Sequence, residues 1–258
     1  MKILFLGDIV GKPARNFLSK ALPRLKEETA ADLVIANGEN AAGGSSITPD
    51  TARDIFTAGV DILTSGDHIF KKKIAKNVLE NSPLIRPLNY GSLAAGSGYI
   101  VKEVKGVKVA VVNLLGRVFM HPVDCPFKAI KKILPDLKNK AKIIIVDMHA
   151  EATSEKVAMG YFLAEEVSAV LGTHTHIPTA DQRIINGFTA YVTDLGMTGS
   201  FDSVLGRQKE AIIERFFTNM PVRFDLAKGD LRIQGVVLDI EEESGKALAI
   251  ERVEYKKS

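Results

Sequence analysis

The chain has 258 residues, 46% of them hydrophobic and 25% charged, a globular composition long enough to bury a large core. Its formal net charge is only +3, and no Lys/Arg-rich arm or single-sign block points to a nucleic-acid surface. Cys125 is the one cysteine, which excludes an intramolecular disulfide and a thiolate-rich zinc site. The first residues carry one lysine and a short apolar stretch that soon meets Asp8, a poor match to a signal peptide. No run approaches the roughly 20 apolar residues that span a bilayer. The expectation is one domain over residues 1–258, working in the reducing cytoplasm without a membrane partner.

In chain order, "KILFLG" predicts a buried strand ending at Gly7. Pro13 then suits the first turn of a helix that carries Phe17, Leu18, Leu22 and Leu25. "ADLVIANG" is a second strand. In "ITPDTARDIFTAG", Thr48 caps a helix, Pro49 opens it and Gly59 ends it. "VDILTSG" is a third strand. "GYIVKEVKGVKVAVVNL" reads as a hairpin turning at Lys105-Gly106. "IIIVDMH" and "SAVLGTHTH" are further strands, with a helical "SEKVAMGYFLAEE" between them. "RIQGVVLDIEEESGKALAIERVEYK" reads as a second hairpin, turning at Ser244-Gly245. Strands alternating with helices argue for a largely parallel α/β arrangement, and the added hairpins for two packed sheets with helices outside.

The polar residues gather where these strands end. The first strand ends in Gly7-Asp8, the second in Gly38-Glu39-Asn40 and the third in Gly66-Asp67-His68. Two later strands end in Asp147-Met148-His149 and in Gly172-Thr173-His174-Thr175-His176. Ligands of open α/β sheets bind just beyond the carboxyl ends of the strands. His174 and His176 alternate along an extended segment, so they are expected to point the same way. Carboxylates with imidazoles favour Mn, Fe, Zn or Co over Mg or Ca. So many donors fit two ions about 3.5–4 Å apart better than one four-coordinate ion. "GDIVGKP" fails as a phosphate-binding P-loop, because only three residues separate its glycines and Pro13 follows Lys12.

The stretches "GDIVGKPAR", "NGENAAGG", "GDHIFKKK", "VDMHAEATSEK", "GTHTHIPTAD" and "TDLGMTG" resemble the calcineurin-like metallophosphoesterases, and more closely their bacterial YmdB-like branch. The likeness runs from Met1 to about Gly199, and "NMPVRF" extends it. It implies a four-layer αββα sandwich and a phosphodiesterase of 2′,3′-cyclic nucleotides. It also implies two metal ions, iron or manganese ahead of zinc, and no other cofactor. On that resemblance Glu39 bridges the ions, Asp8, Asn40 and His176 complete one, and Asp67, His149 and His174 complete the other. A metal-bridging hydroxide attacks phosphorus, and His68 serves as the general acid that protonates the leaving group. The superfamily's usual Asp-x-His has Val10 at its third position here, with Asn40 the replacement ligand. Asp67 stands where the family commonly has Asn, and Phe70 where the branch often has Trp.

Other residues carry weaker signals. Asp147 either orients a ligand imidazole from behind or faces the core edge and caps a helix, and Asp181 and Asp194 are equally ambiguous. Lys71, Lys72 and Lys73 read as a solvated helix start or as an attractor of anions. His121 and Cys125 match no catalytic pattern. Two other functions stay open: a phosphomonoesterase or protein phosphatase with the same centre, and a regulatory RNA- or protein-binding scaffold with a structural metal site. The partner expected is a small nucleotide phosphodiester. RNA is not favoured by the charge, and self-association into a homo-oligomer is left open.

Overall fold

The computed structural model describes residues 1–256. Unbroken apolar runs make strands buried on both faces. In β1 (Lys2–Ile9) every residue after Lys2 is buried, and all five of β2 (Leu33–Asn37) are. Alternation along β1 sends Ile3 and Phe5 to one side and Leu4 and Leu6 to the other. Between β1 and β2 runs α1 (Gly11–Thr29), which buries Phe17, Leu18, Leu22 and Leu25 as the spacing predicts. The next helix, α2 (Pro49–Thr57), opens with a capping box of Thr48 and Thr51 and with Pro49 in its first turn. Then come β3 (Ile62–Thr64) and the short α3 (Ala75–Asn81).

The second half begins with β4 (Tyr99–Val104) and β5 (Val107–Leu115), a hairpin whose Lys105 and Gly106 both have positive φ, 49° and 84°. Two positive φ values in a two-residue loop are the geometry that matches strand twist. There follow α4 (Pro126–Lys140), β6 (Ile143–His149), α5 (Thr153–Phe162), β7 (Ala169–Thr173) and three short strands, β8 (Arg183–Ile185), β9 (Thr189–Val192) and β10 (Met197–Ser200). The chain continues through α6 (Lys209–Thr218) into the expected second hairpin of β11 (Leu231–Ile240) and β12 (Ala247–Lys256).

Two six-stranded sheets result, ordered β12-β11-β10-β1-β2-β3 and β4-β5-β6-β7-β9-β8. Ile3, Phe5, Leu33 and Ile35 of the first meet Val109, Val111, Ile143 and Ile145 of the second in one apolar layer. Outside the first sheet, Leu4 and Leu6 pack on α1 and α2; outside the second, Val112 and Ile144 pack on α4 and α5. The order helix, sheet, sheet, helix is the αββα sandwich expected. Among the described residues no helix is long and apolar enough to cross a membrane.

Two helices lay outside the sequence expectation. No element was expected over Pro126–Lys140, yet Pro126 opens α4 and Pro135 is accommodated inside it, because Ile130 and Leu137 bury against the sheet. The other, α6, has no buried residue, and it leaves Phe216 and Phe217 80% and 85% exposed. Its apolar residues therefore give no core signal to read.

Phe5 is wholly buried between the sheets, so Phe5→Ala is expected to cost about 3–5 kcal/mol, against less than about 0.5 for the 99% exposed Leu93. Urea unfolding of the two variants checks this.

Candidate metal centre

The carboxyl ends of β1, β2, β3, β6 and β7 meet on one rim, and the residues expected there converge. Glu39, Asp67, His149 and His174 each offer one atom, and these atoms lie within 4.8 Å of one another. That spread is close to twice a metal–donor bond of about 2.1 Å. His149 Nε2 is 3.1 Å from Glu39 Oε1 and 3.5 Å from Asp67 Oδ1. His174 Nδ1 is 3.0 Å from His149 Nε2 and 3.7 Å from Asp67 Oδ1. Asp67 Oδ1 is buried and has no hydrogen-bond partner, an orphan acceptor aimed into the cluster.

A second group shares Glu39. Asn40 Nδ2 lies 3.3 Å from Asp8 Oδ1, 3.4 Å from Glu39 Oε1 and 3.2 Å from His176 Nε2. The amide thus turns its positive end toward two carboxylates and an imidazole, where a cation would fit. A half-turn of the amide exchanges that end for Oδ1. With Asp8 and Glu39 at 0% exposure, the site fits cations on its chemistry as well as its spacing.

The three inward-facing imidazoles are each fixed from behind. His149 Nδ1 donates to Thr173 Oγ1 at 2.8 Å, and Thr173 Oγ1 in turn donates to Asp147 Oδ1 at 2.6 Å. His176 Nδ1 donates to the Leu205 carbonyl at 3.2 Å, and His174 Nε2 faces Glu151 Oε2 at 3.1 Å. Each ring therefore keeps its other nitrogen for the centre, the arrangement that imidazole ligands require. Asp147 stands behind the His149 imidazole, but through Thr173 and not directly. Its full burial pushes it up to about 6.

The charges respond to one another. Burial works to raise the carboxyls of Glu39 and Asp8, yet His149 beside the first and His176 beside the second hold both below their usual range. Burial likewise opposes the charge on His149, but Glu39, Asp67 and Asp8 together more than offset it and raise that imidazole well above its usual range. His68 differs from the other three. Its Nδ1 donates to Asn40 Oδ1 at 3.1 Å, its backbone N–H donates to Glu39 Oε2 at 2.9 Å, and its side chain is 34% exposed. The Glu39 carboxylate, whose Oε1 lies 3.4 Å from the ring Nδ1, raises the imidazole.

The turn that carries His174 and His176 is not the extended segment expected. β7 stops at Thr173, and the two histidines have φ of 104° and 65°, in the region that side chains disfavour. Two carboxylates hold the turn. Asp8 Oδ2 accepts the His174 N–H at 3.2 Å, and Asp194 Oδ2 accepts the Thr175 N–H at 3.1 Å. Asp194 Oδ2 also receives Lys156 Nζ at 2.7 Å, with both side chains 1% exposed. Gly66 supplies the room: a Cβ there would sit 2.2 Å from His149 Nε2 and 2.4 Å from Glu39 Oε2.

Sequence reasoning missed Lys156, Asn37 and Thr173. Lys156 had a readable sign, since with Met159 and Gly160 it occupies the buried face of α5. Asn37 ends the otherwise apolar "LVIAN" and binds three strand ends together. Its Nδ2 donates to the Ser65 carbonyl and to Asp147, and its Oδ1 accepts the Glu39 N–H. Asp181 lies apart, closing a turn with Thr179 and Thr193. Lys71, Lys72, Lys73 and His121 are exposed, and Cys125 stands half-buried just before α4.

The YmdB-like protein family matches residues 4–253. The chain is 42% identical over 254 residues to the 2′,3′-cyclic-nucleotide 2′-phosphodiesterase of Bacillus subtilis (strain 168), covering 98% of this chain and 96% of that one. The chain belongs to the YmdB-like family. Two solved structures of similar proteins agree with the whole fold. A hypothetical protein from Thermus thermophilus has a TM-score of 0.94 at 39% identity, with all of both chains covered. A protein described as a novel phosphatase, from Mycoplasma pneumoniae, has a TM-score of 0.93 at 35% identity, covering 99% of this chain and 93% of that one. As a YmdB-like protein with such relatives, the chain is a hydrolytic enzyme.

Lys156→Met would leave the Asp194 carboxylate buried without its cation, at an expected cost of about 3–5 kcal/mol. It should also loosen the His174–His176 turn and lower the metal retained after dialysis. An unfolding midpoint and a metal content equal to the parent's would overturn both expectations.

Proposed function

We propose that the protein hydrolyses small phosphodiesters, 2′,3′-cyclic nucleotides foremost, at a centre built for two cations. The observation that carries this reading is the set of three imidazoles, each turning one nitrogen to a carboxylate of the cluster, His149 to Glu39, His174 to Asp67 and His176 to Asp8, and resting the other on an outer oxygen. Glu39 would be shared between the ions. Asp8, Asn40 and His176 would hold one, and Asp67, His149 and His174 the other. Mixed carboxylate and imidazole donors suit Mn, Fe, Zn or Co, and the resemblance to the family places iron or manganese ahead of zinc. Bound cations supply Lewis acidity, which lowers the pKa of a water from 15.7 toward about 7 and opposes charge growing on a phosphoryl group. The substrate class is supported by the relative from Bacillus subtilis, a 2′,3′-cyclic-nucleotide 2′-phosphodiesterase.

His68 is the chain's own proton donor in this reading. It stands beside the cluster without belonging to it, half-exposed at the rim, where a leaving ribose oxygen can reach it. Glu39 holds the proton on its ring into a higher pH range, as an acid requires. Cations drawing on Glu39 would withdraw part of that support. Phe70 lies two residues beyond His68 and meets Tyr90 edge-on at 5.4 Å, an aromatic wall against which a base can stack. A phosphomonoesterase is the second reading, favoured by the description of the Mycoplasma pneumoniae protein as a phosphatase. Hydrolysis of bis-p-nitrophenyl phosphate against p-nitrophenyl phosphate separates the two, since a diesterase prefers the first.

His68→Ala is expected to lower kcat on a cyclic nucleotide by roughly 10²–10⁴ while metal content holds. The loss should be far smaller with a p-nitrophenolate leaving group, which needs no proton. Equal losses on both substrates would remove His68 from the acid role.

Asp67 adds a negative charge that supports protonated His68, after the larger contribution of Glu39. Removing it lowers the imidazole's pKa, so the acid form is lost sooner as pH rises. The alkaline limb of the pH–rate profile is therefore expected to move to lower pH in Asp67→Asn, and superimposable profiles would refute this.

A further inference from the structure

A separate cavity of about 530 Å³ opens beside the centre, lined by Arg86, Asn89, Tyr90, Asp124, Lys128 and Lys132 among others. Its charge is unusual for its burial. Arg86 is 7% exposed, and no carboxylate lies within ion-pair distance of it among the described residues. Its Nη1 and Nη2 donate to the carbonyls of Pro87, Leu88 and Ala94, which carry no net charge, and its Nε has no partner. A buried guanidinium without a counter-charge is costly, so an anion in the cavity would relieve it. Lys128 and Lys132 stand one turn apart on α4, exposed and likewise unpaired among the described residues. The first turn of α4, fifteen residues long, borders the same cavity and favours negative charge there. Asp124 is the one carboxylate opposing these three cations.

The cavity adjoins the site by two routes. Tyr90 lines it and meets Phe70, two residues from His68. Asn89 Nδ2 donates to the Leu115 carbonyl at the end of β5, and Leu115 is paired with His149 on the neighbouring strand. Adjacent strands lie about 4.8 Å apart, so the cavity floor and the centre are near neighbours on one rim.

We infer that this cavity is a second phosphate subsite, and that the substrate is a 2′,3′-cyclic phosphate carrying a further phosphate on its 5′ oxygen. The inference rests on the phosphodiesterase reading above. A 2′,3′-cyclic phosphate closes both of those ribose oxygens, and in a nucleoside the 5′ oxygen is then the remaining ester position. A phosphate there lies one nucleotide's length from the bond cleaved. Such a group occurs on a 5′-phosphorylated nucleotide and at the 3′ end of an RNA strand.

The test compares adenosine 2′,3′-cyclic phosphate, the same compound with a 5′-phosphate, and an adenylyl dinucleotide ending in the cyclic phosphate. The parent is expected to favour the 5′-phosphorylated compound in kcat/KM by about tenfold or more, the size of one charge-assisted contact. In Lys128→Ala/Lys132→Ala the ratio should fall to about one, while Lys131→Ala, a neighbouring exposed lysine, keeps it. A gain shared by the dinucleotide assigns an RNA end; a gain confined to the monoester assigns a free nucleotide. Titration of the protein as purified with adenosine 5′-monophosphate and with adenosine reads the subsite without turnover. If neither cyclic compound is hydrolysed, yet the monophosphate binds about tenfold tighter and the double variant loses the difference, the chemistry fails and the subsite stands. If hydrolysis proceeds with a ratio of one in the parent and no difference in binding, the subsite is overturned and the chemistry stands.

Discussion

Buried negative charge is the constraint around which the rim is organised. Asp8, Glu39, Asp147 and Asp194 are each at most 1% exposed, and a carboxylate removed from water must be met by donors or cations. Two of them are answered within the chain. Asp194 receives the Lys156 ammonium and two backbone amides, from Thr175 and Gly196. Asp147 receives the Thr173 hydroxyl and the Asn37 amide. Around Glu39 and its less buried neighbour Asp67 the answer is incomplete, since titratable imidazoles, the Asn40 amide and the His68 backbone N–H face them and one Asp67 oxygen has no partner. The first pair is scaffold, and the second pair is where chemistry can happen.

The scaffold pair supports the other. A turn in which two non-glycine residues adopt positive φ costs of order 1–3 kcal/mol at each, and it persists only when its surroundings overdetermine it. Asp194 and Asp8 do this from opposite sides, one holding the Thr175 amide and the other the His174 amide. The ion pair of α5 therefore reaches the centre through a single backbone hydrogen bond. Asn37 plays a comparable part between the sheets, tying the end of β2 to β3 and to β6.

Much of this was legible in the sequence, for physical reasons that differ by element. The parallel strands announced themselves because burial on both faces demands unbroken apolar runs, and their ends because glycine and polar residues follow at once. The ligand candidates were legible because those ends share a rim. The hidden parts lacked a local signature. Pro135 masks α4, whose helix is secured by Ile130 and Leu137 in the core. The kinked backbone at His174 and His176 could not be foreseen from alternation, since it is imposed by Asp8 and Asp194, far away in sequence. The Lys156–Asp194 pair spans 38 residues, and nothing near either residue names its partner. Arg86 belongs to the same class, because only the fold leaves its charge unanswered.

The direction of the strands has one more consequence. β5 runs toward the rim at Leu115, so the tip at Lys105-Gly106 lies at the far pole of the molecule. That tip is uncrowded, with no atom within 4 Å of where a Gly106 side chain would begin, unlike the Gly245 turn, which packs on the Lys142 carbonyl. A dye, a tether or an inserted peptide at Lys105-Gly106 would leave the rim with the candidate metal centre facing free solution, which makes this loop the natural handle for immobilising or labelling the protein.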